Sequence, residues 1–149
     1  MTEKLEEAIQ LLEDSREACL ATLKEDEKTP FASLTGFLYE KDQAPKLGRL
    51  YVLLSDLAQH TRNIKKNPQA SVLIAQSDAS IPVHEKQRVS LQGNFSRVDE
   101  KKTQDLKTKY LKVFPGAEIF FSLADFRFYQ MEIAEIYWIG GFGKTGRWK

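Results

Sequence analysis

A short polar segment between two apolar runs carries most of the side chains in this sequence that could bind an anion. Ser55 and Asp56 come first, and His60 and Arg62 follow within one predicted helix. Ser55 or Asp56 is suited to cap that helix, and Pro68 ends it, because proline disfavours helical geometry in the residue before it. Free amides and the dipole favour negative charge at a helix N-terminus. The segment therefore indicates an anion site, and a crossover helix with a solvated polar face remains the alternative.

The spacing within this helix predicts two faces. Leu57 and Ile64, seven residues apart, are expected to share the buried face. Gln59, Arg62 and Asn63 fall at helical spacing and are expected to line up on one polar side.

Hydroxyl groups also occur in an earlier predicted strand, residues 30–40. The sequence predicts a hairpin of strands 18–24 and 30–40, separated by a charged turn. Alternation places Ser33 and Thr35 on a face that otherwise carries aromatic residues. Their hydroxyls either bond to neighbouring backbone or line a ligand, and the residues alone leave both interpretations open.

The remaining elements position these residues in one small α+β barrel. Amphipathic helices are predicted over 2–15 and 99–113, and an alternating strand over 88–98. The longest strand, 126–139, changes the parity of its apolar positions near 133–134, which indicates a β-bulge. The sum is about six mostly antiparallel strands with flanking helices, in a single domain over residues 1–149.

Composition excludes several classes of function. A net charge of +1 and the lack of a long basic tract argue against nucleic-acid binding. The single cysteine, Cys19, excludes an intrachain disulfide, and the only histidines, His60 and His84, have no metal-ligand spacing to each other or to it. No signal sequence or membrane-length apolar run is visible, so a cytoplasmic location is expected and no membrane contact.

Taken together, the motifs resemble the FMN-binding split barrel of the pyridoxamine 5'-phosphate oxidase-like superfamily, most closely its haem-utilisation branch. They occur in the family's order and span nearly the whole chain. The motifs are ACLATL (18–23), FASLTGF (31–37), LSDLAQHTRNIKKNPQASVLI (54–74), RVSLQG (88–93) and IGGFGKTGRW (139–148).

The resemblance implies a homodimer with two FMN molecules at the subunit interface, serving as a flavin-dependent oxidoreductase for a small molecule. By position, residues 32–35 would border the flavin ring and ribityl chain, and Ser55 with residues 60–63 would hold the phosphate end. Arg88, Gln92 and Trp138 could reach the same flavin or that of the partner subunit. It implies no catalytic side chain, because the flavin carries the chemistry. The cofactor-binding residues so implied are Ala32, Ser33, Leu34 and Thr35 for the ring and ribityl chain, Ser55, His60, Thr61, Arg62 and Asn63 for the phosphate, and, without an assigned part of the flavin, Leu54, Arg88, Gln92 and Trp138.

Two departures from the family keep alternatives open. Many flavin-binding relatives carry lysine or arginine at the position of His60, which predicts a weaker phosphate grip. The haem-degrading branch has a histidine in or after its C-terminal glycine-rich tail, whereas the tail here ends at Lys149 without one. Haem binding is therefore the second hypothesis, and an interaction barrel without a cofactor is the third. The substrate, and the choice between FMN and F420, are not fixed by the residues.

Overall fold

The computed structural model describes residues 2–149, and within them the chain forms one eight-stranded sheet with four α-helices. The helices are α1 (Glu3–Asp14), α2 (Gln59–Lys66), α3 (Glu100–Val113) and α4 (Glu118–Phe121). The strands are β1 (Glu17–Leu23), β2 (Pro30–Gly36), β3 (Leu38–Glu40), β4 (Arg49–Ser55), β5 (Gln69–Ala75), β6 (Arg88–Arg97), β7 (Phe126–Ile139) and β8 (Thr145–Trp148).

Every strand pair in the sheet is antiparallel, in the order β2-β1-β5-β6-β7-β4-β3. Strand β7 is the longest and organises the rest, because it pairs with β6 along most of its length. Its first half also pairs with β4 and its last four residues with β8. The sheet curls into a half-barrel, which confirms the predicted split-barrel architecture.

The predicted strand 30–40 is two strands that lie at opposite ends of the sheet. Residues 30–36 pair with β1, whereas residues 38–40 pair with β4. The change of partner occurs at Phe37, whose backbone N–H still donates to Arg16 O at 3.1 Å and whose side chain is 1% exposed. Side-chain alternation continues through this residue, so the pattern alone did not reveal the switch.

The predicted bulge in the last strand is confirmed. Gln92 pairs with Glu135 and the next residue, Gly93, pairs with Ile133, so Ala134 has no partner on β6. Strand β8, in the glycine-rich tail, was not predicted. It pairs Thr145 with Ile139 and extends the sheet beyond the six or so strands that the sequence indicated.

One face of the sheet packs on the main core, and the opposite face is partly exposed over β1, β2 and β5. The core face of β1 holds Ala18, Leu20 and Thr22, all at most 3% exposed. The opposite face, called the outer face below, includes two exposed leucines, 72% and 47% exposed. By pairing register the outer face comprises Cys19, Ala21, Ala32, Leu34, Ser71, Leu73, Arg88, Ser90, Gln92 and Tyr137.

The two long helices keep their predicted positions. Thr2 caps α1 through a hydrogen bond from Leu5 N, and Asp99 caps α3 through one from Lys101 N. Leu106 and Tyr110 of α3 join a second apolar cluster. Across residues 2–149 none of the helices has both the length and the apolar character needed to span a membrane.

Candidate functional site

Helix α2 begins later than the sequence indicated. Its N-cap is Ala58, which offers no side-chain acceptor. The prediction that Ser55 or Asp56 caps this helix is therefore wrong. Leu57 lies in the preceding turn with 74% of its surface exposed and does not share the buried face of Ile64. That turn is closed by Ala58 N donating to Ser55 O at 3.2 Å. The first-turn amides of α2 therefore lack a side-chain cap of their own.

The first turn of α2 meets strand β2 through one side-chain contact. His60 Nδ1 lies 3.0 Å from Ser33 Oγ, within hydrogen-bond distance. Burial lowers the pKa of His60 below its ordinary value of 6.5, because the charged imidazolium loses solvation there. The imidazole is therefore mainly neutral near pH 7, and a dianion placed beside it would favour the charged form.

Arg62 lies one turn of α2 from Ala58 and already has three acceptors. Its guanidinium donates to Leu57 O at 2.7 Å and to Gln59 Oε1 at 2.6 Å, and its Nε lies 3.4 Å from Glu25 Oε1. The Arg62 side chain is 49% exposed, so solvent weakens the ion pair with Glu25. The charge remains available to a stronger anion, which would compete with Glu25.

Two of the predicted phosphate ligands are turned into the core. Thr61 and Asn63 are each 0% exposed. The Thr61 hydroxyl donates to Ser55 O at 2.6 Å. The Asn63 amide donates to the Thr22 hydroxyl at 2.9 Å and accepts from Gln59 Nε2 at 2.6 Å. These hydrogen bonds hold α2 on β1 and engage the Thr61 and Asn63 side chains with partners inside the chain.

The turn before α2 is fixed by acidic residues that the sequence analysis did not connect. Ser55 Oγ donates to Asp125 Oδ2 at 2.6 Å and accepts from Leu57 N at 3.2 Å. Asp56 accepts a hydrogen bond from Tyr129 at 2.8 Å. Ser55 therefore has its hydrogen bonds satisfied inside the chain, and its hydroxyl is not free for a phosphate.

The stretch from Ala32 to Thr35 divides between the two faces of β2. Ser33 and Thr35 are partly buried, on the α2 side, whereas Ala32 and Leu34 are exposed on the outer face. Strand β2 ends the order of the sheet, so one of its edges has no strand partner within residues 2–149. Unpaired backbone donors and acceptors at such an edge are open to a ligand.

The other predicted residues occupy two different environments. Leu54 and Trp138 lie in the main core, 2% and 1% exposed, so neither presents a surface in this chain. Gln92 lines an outer-face cleft of about 740 Å³ between the β1–β2 hairpin and β6. Arg88 lines a second one of about 390 Å³, where it donates to Lys86 O at 3.1 Å. The structure thus brings Ser33 and His60 into contact, places Arg62 two residues further along α2 with other partners, and separates all three from these four.

The sequence matches one family model over most of its length. The CREG β-barrel model matches residues 1–147. No curated protein sequence matches the chain.

Solved structures share the fold. A haem-binding protein from Mycobacterium smegmatis is 24% identical with a TM-score of 0.84, over 99% of this chain and 58% of that chain. A pyridoxamine 5'-phosphate oxidase, described as putative, from Listeria innocua is 17% identical with a TM-score of 0.70, over 93% and 100%. An FAD-binding protein from Mesorhizobium loti is 17% identical with a TM-score of 0.65, over 87% of both chains. The chain therefore spans about three-fifths of the length of the mycobacterial protein.

Proposed function

The chain belongs to the CREG β-barrel family, and from that premise we propose that it is a dimeric flavoprotein that binds FMN and acts as an oxidoreductase on a small molecule. The observation that carries the proposal is the junction of β2 with α2, where Ser33 and His60 meet at 3.0 Å. The M. loti neighbour of the same fold is described as FAD-binding, and FAD is also a flavin nucleotide.

The junction has the chemistry that a phosphate monoester requires. Three kinds of donor lie at the N-terminal end of α2: its first-turn amides, the imidazole of His60 beside Ser33, and the guanidinium of Arg62, which donates to Leu57 O just before the helix. Ala58 supplies no side-chain acceptor to those amides, so an anion would meet them without displacing a cap. A phosphate carries close to two negative charges, and charge-assisted hydrogen bonds to it are about twice as strong as neutral ones.

The residues at the junction fit FMN with a smaller phosphate set than the sequence indicated. Ser33, His60 and Arg62 would hold the phosphate, together with the α2 amides. The hydroxyls and amide of Ser55, Thr61 and Asn63 are committed to partners inside the chain, and they would position α2 rather than bind. The free edge of β2 would lie along the ring and ribityl chain.

The bound flavin would supply hydride or two-electron transfer. The chain's own residues bind and orient it, and no side chain is assigned as acid or base. A neighbouring dianion would oppose the lowering of the His60 pKa by burial, because it favours the imidazolium form.

The proposed dimer places a second copy against the outer face. Leu34 and Leu73 flank Cys19 in the pairing register and are 72% and 47% exposed, with small residues around them. Contact between copies would remove these leucines from water and enclose the clefts at Gln92 and Arg88. A stable dimer of this type buries about 800 Å² per partner.

The direct test is an absorption spectrum of the purified protein with and without added FMN. We expect a flavin spectrum and saturable FMN binding with a micromolar Kd or tighter, a binding free energy of about −8 kcal/mol. A protein that remains colourless after refolding with excess FMN would overturn the proposal and favour an interaction barrel without a cofactor.

A second candidate, haem binding, is favoured by the cleft at Arg88. Its lining is mostly apolar, from Leu73, Val83 and Ile139, and it also contains His84. An apolar slot with an imidazole and cations nearby suits a porphyrin with carboxylates. The M. smegmatis neighbour is described as haem-binding.

Haem titration separates this candidate from the flavin proposal. A Soret band that is lost in His84→Ala and retained in His60→Ala would place haem in the cleft at Arg88, and the reverse would place it at the β2–α2 junction. Absence of a specific haem complex in the unmodified protein would end this candidate and leave the flavin proposal untouched.

A further inference from the structure

A separate cleft lies between the second half of α2 and the end of β6. Its volume is about 270 Å³. Ile64, Pro68 and Phe95 supply its apolar surface, and Ile64 and Phe95 are themselves 4% exposed. This volume lies just below the range of about 300 to 1,000 Å³ of pockets for drug-sized ligands, so the cleft has room for a smaller body such as a single ring.

Cations line the same cleft. Lys65 and Arg97 contribute side chains that are 53% and 52% exposed, and the Tyr129 ring lies at the cleft as well. The Tyr129 hydroxyl donates to Asp56 Oδ1 at 2.8 Å. The apolar floor therefore has a polar, basic rim.

The basic residues outnumber the carboxylate that they share. Asp56 lies 3.6 Å from Lys65 Nζ and 3.4 Å from Arg127 Nε, so a single carboxylate forms ion pairs with two cations. Among residues 2–149 the one ion-pair partner of Arg97 is Glu100, at 3.6 Å, and the Glu100 side chain is 82% exposed. Exposed pairs of this kind contribute little, so Arg97 can turn to another anion at small cost.

The charged groups around the cleft affect the pKa of the Tyr129 phenol. Burial and the hydrogen bond to Asp56 raise its pKa to about 12, while the positive charges of Arg97 and Arg127 oppose that rise. The phenol is therefore protonated, committed to Asp56, and adds no negative charge to the cleft.

We infer that this cleft binds a small organic acid, with its apolar body on Ile64 and Phe95 and its anionic group between Lys65 and Arg97. The site differs from the β2–α2 junction and does not depend on the flavin proposal. Lys65 follows His60 by five residues in α2, which places the two side chains about 140° apart around the helix.

Benzoate, titrated at low ionic strength and followed by ¹H–¹⁵N NMR, tests the inference. We expect saturable shifts at the amides of Lys65, Ser96 and Arg97. Lys65→Met and Arg97→Gln are each expected to weaken binding roughly fivefold, since each removes one partner of the anion. Lys66→Met is the matched control, because Lys66 occupies the same last turn of α2 and does not line the cleft.

Two further probes decide whether both parts of the cleft matter. Benzamide, which keeps the ring and lacks the charge, should produce no saturable shift. Inorganic phosphate, which keeps the charge and lacks the ring, should bind more weakly than benzoate. Non-saturable benzoate shifts, benzamide binding as tight as benzoate, phosphate binding as tight as benzoate, or an equal loss in Lys66→Met would each overturn the inference.

Discussion

Ser33 Oγ and His60 Nδ1 lie 3.0 Å apart and connect the edge strand β2 to the first turn of α2. The contact spans 27 residues of sequence and joins two elements that the sequence predicted separately. It defines the place at which an uncapped helix N-terminus, an imidazole and the unpaired edge of a sheet come together.

Replacing Arg62 with alanine should weaken FMN binding by about 1.5 to 3 kcal/mol, because a charge-assisted hydrogen bond to phosphate is lost. Fluorescence titration of FMN measures this change. Arg97→Ala is the matched control, since the Arg97 side chain is 52% exposed against 49% for Arg62 and lies in another cleft. Unchanged affinity in Arg62→Ala would remove this residue from the site.

Replacing Glu25 with glutamine should tighten FMN binding. The Glu25 carboxylate competes with phosphate for Arg62, and an exposed pair of this kind is worth about 0.2 to 1 kcal/mol. The expected gain is therefore at most roughly fivefold in Kd. Glu27→Gln, in the same turn, should bind FMN as the unmodified protein does; weaker binding in Glu25→Gln would contradict the competition.

Replacing Asn63 with alanine should lower the free energy of unfolding by about 1 to 3 kcal/mol, because Thr22 and Gln59 both lose a buried partner. Urea denaturation measures this loss, and the exposed Lys66→Ala should change stability by less than about 0.5 kcal/mol. A fully stable Asn63→Ala that no longer binds FMN would instead return Asn63 to the phosphate site.

Stability should fall on acidification through His60. Its pKa is lower in the folded chain than the ordinary 6.5, so the unfolded chain binds the proton more readily. The contribution of neutral His60 is fully present above pH 6.5 and is lost as the pH falls from there towards the folded pKa. Urea unfolding across this range should show a steeper loss in the unmodified protein than in His60→Gln. Equal slopes would contradict the buried, neutral imidazole.

Replacing Leu34 with lysine should dissociate the proposed dimer, because a charge would be buried at the proposed interface on the outer face. Sedimentation velocity measures the outcome. Ile119→Lys is the matched control, since Ile119 is 65% exposed against 72% for Leu34 and lies on α4, away from that face. A Leu34→Lys protein that remains dimeric would place the interface elsewhere.

Local patterns were sufficient for most of the fold. Periodicity identified α1 and α3, and the change of parity near Ala134 located the bulge, because each signal lies within one element. Strand β8 was missed because the three tail glycines before it, Gly140, Gly141 and Gly143, and its own Gly146 are typical of a loop. This segment is a strand because it pairs with β7, and its composition alone does not predict that pairing.

The sequence predicted an anion site in this segment, but not which of its polar side chains are buried. The helical spacing correctly joined Gln59, Arg62 and Asn63 on one side, where hydrogen bonds connect them. Spacing does not say which polar residues point inward, and Asn63 is buried because Thr22 provides a partner on a distant strand. Pairing across 41 residues is a tertiary property that no local pattern reports.

Dimerisation and flavin binding can be measured together by sedimentation velocity of the purified protein mixed with FMN, followed at the visible flavin band. We expect the flavin signal to sediment with a particle of twice the chain mass, at one FMN per chain. A monomer that sediments without any flavin signal would contradict the proposal.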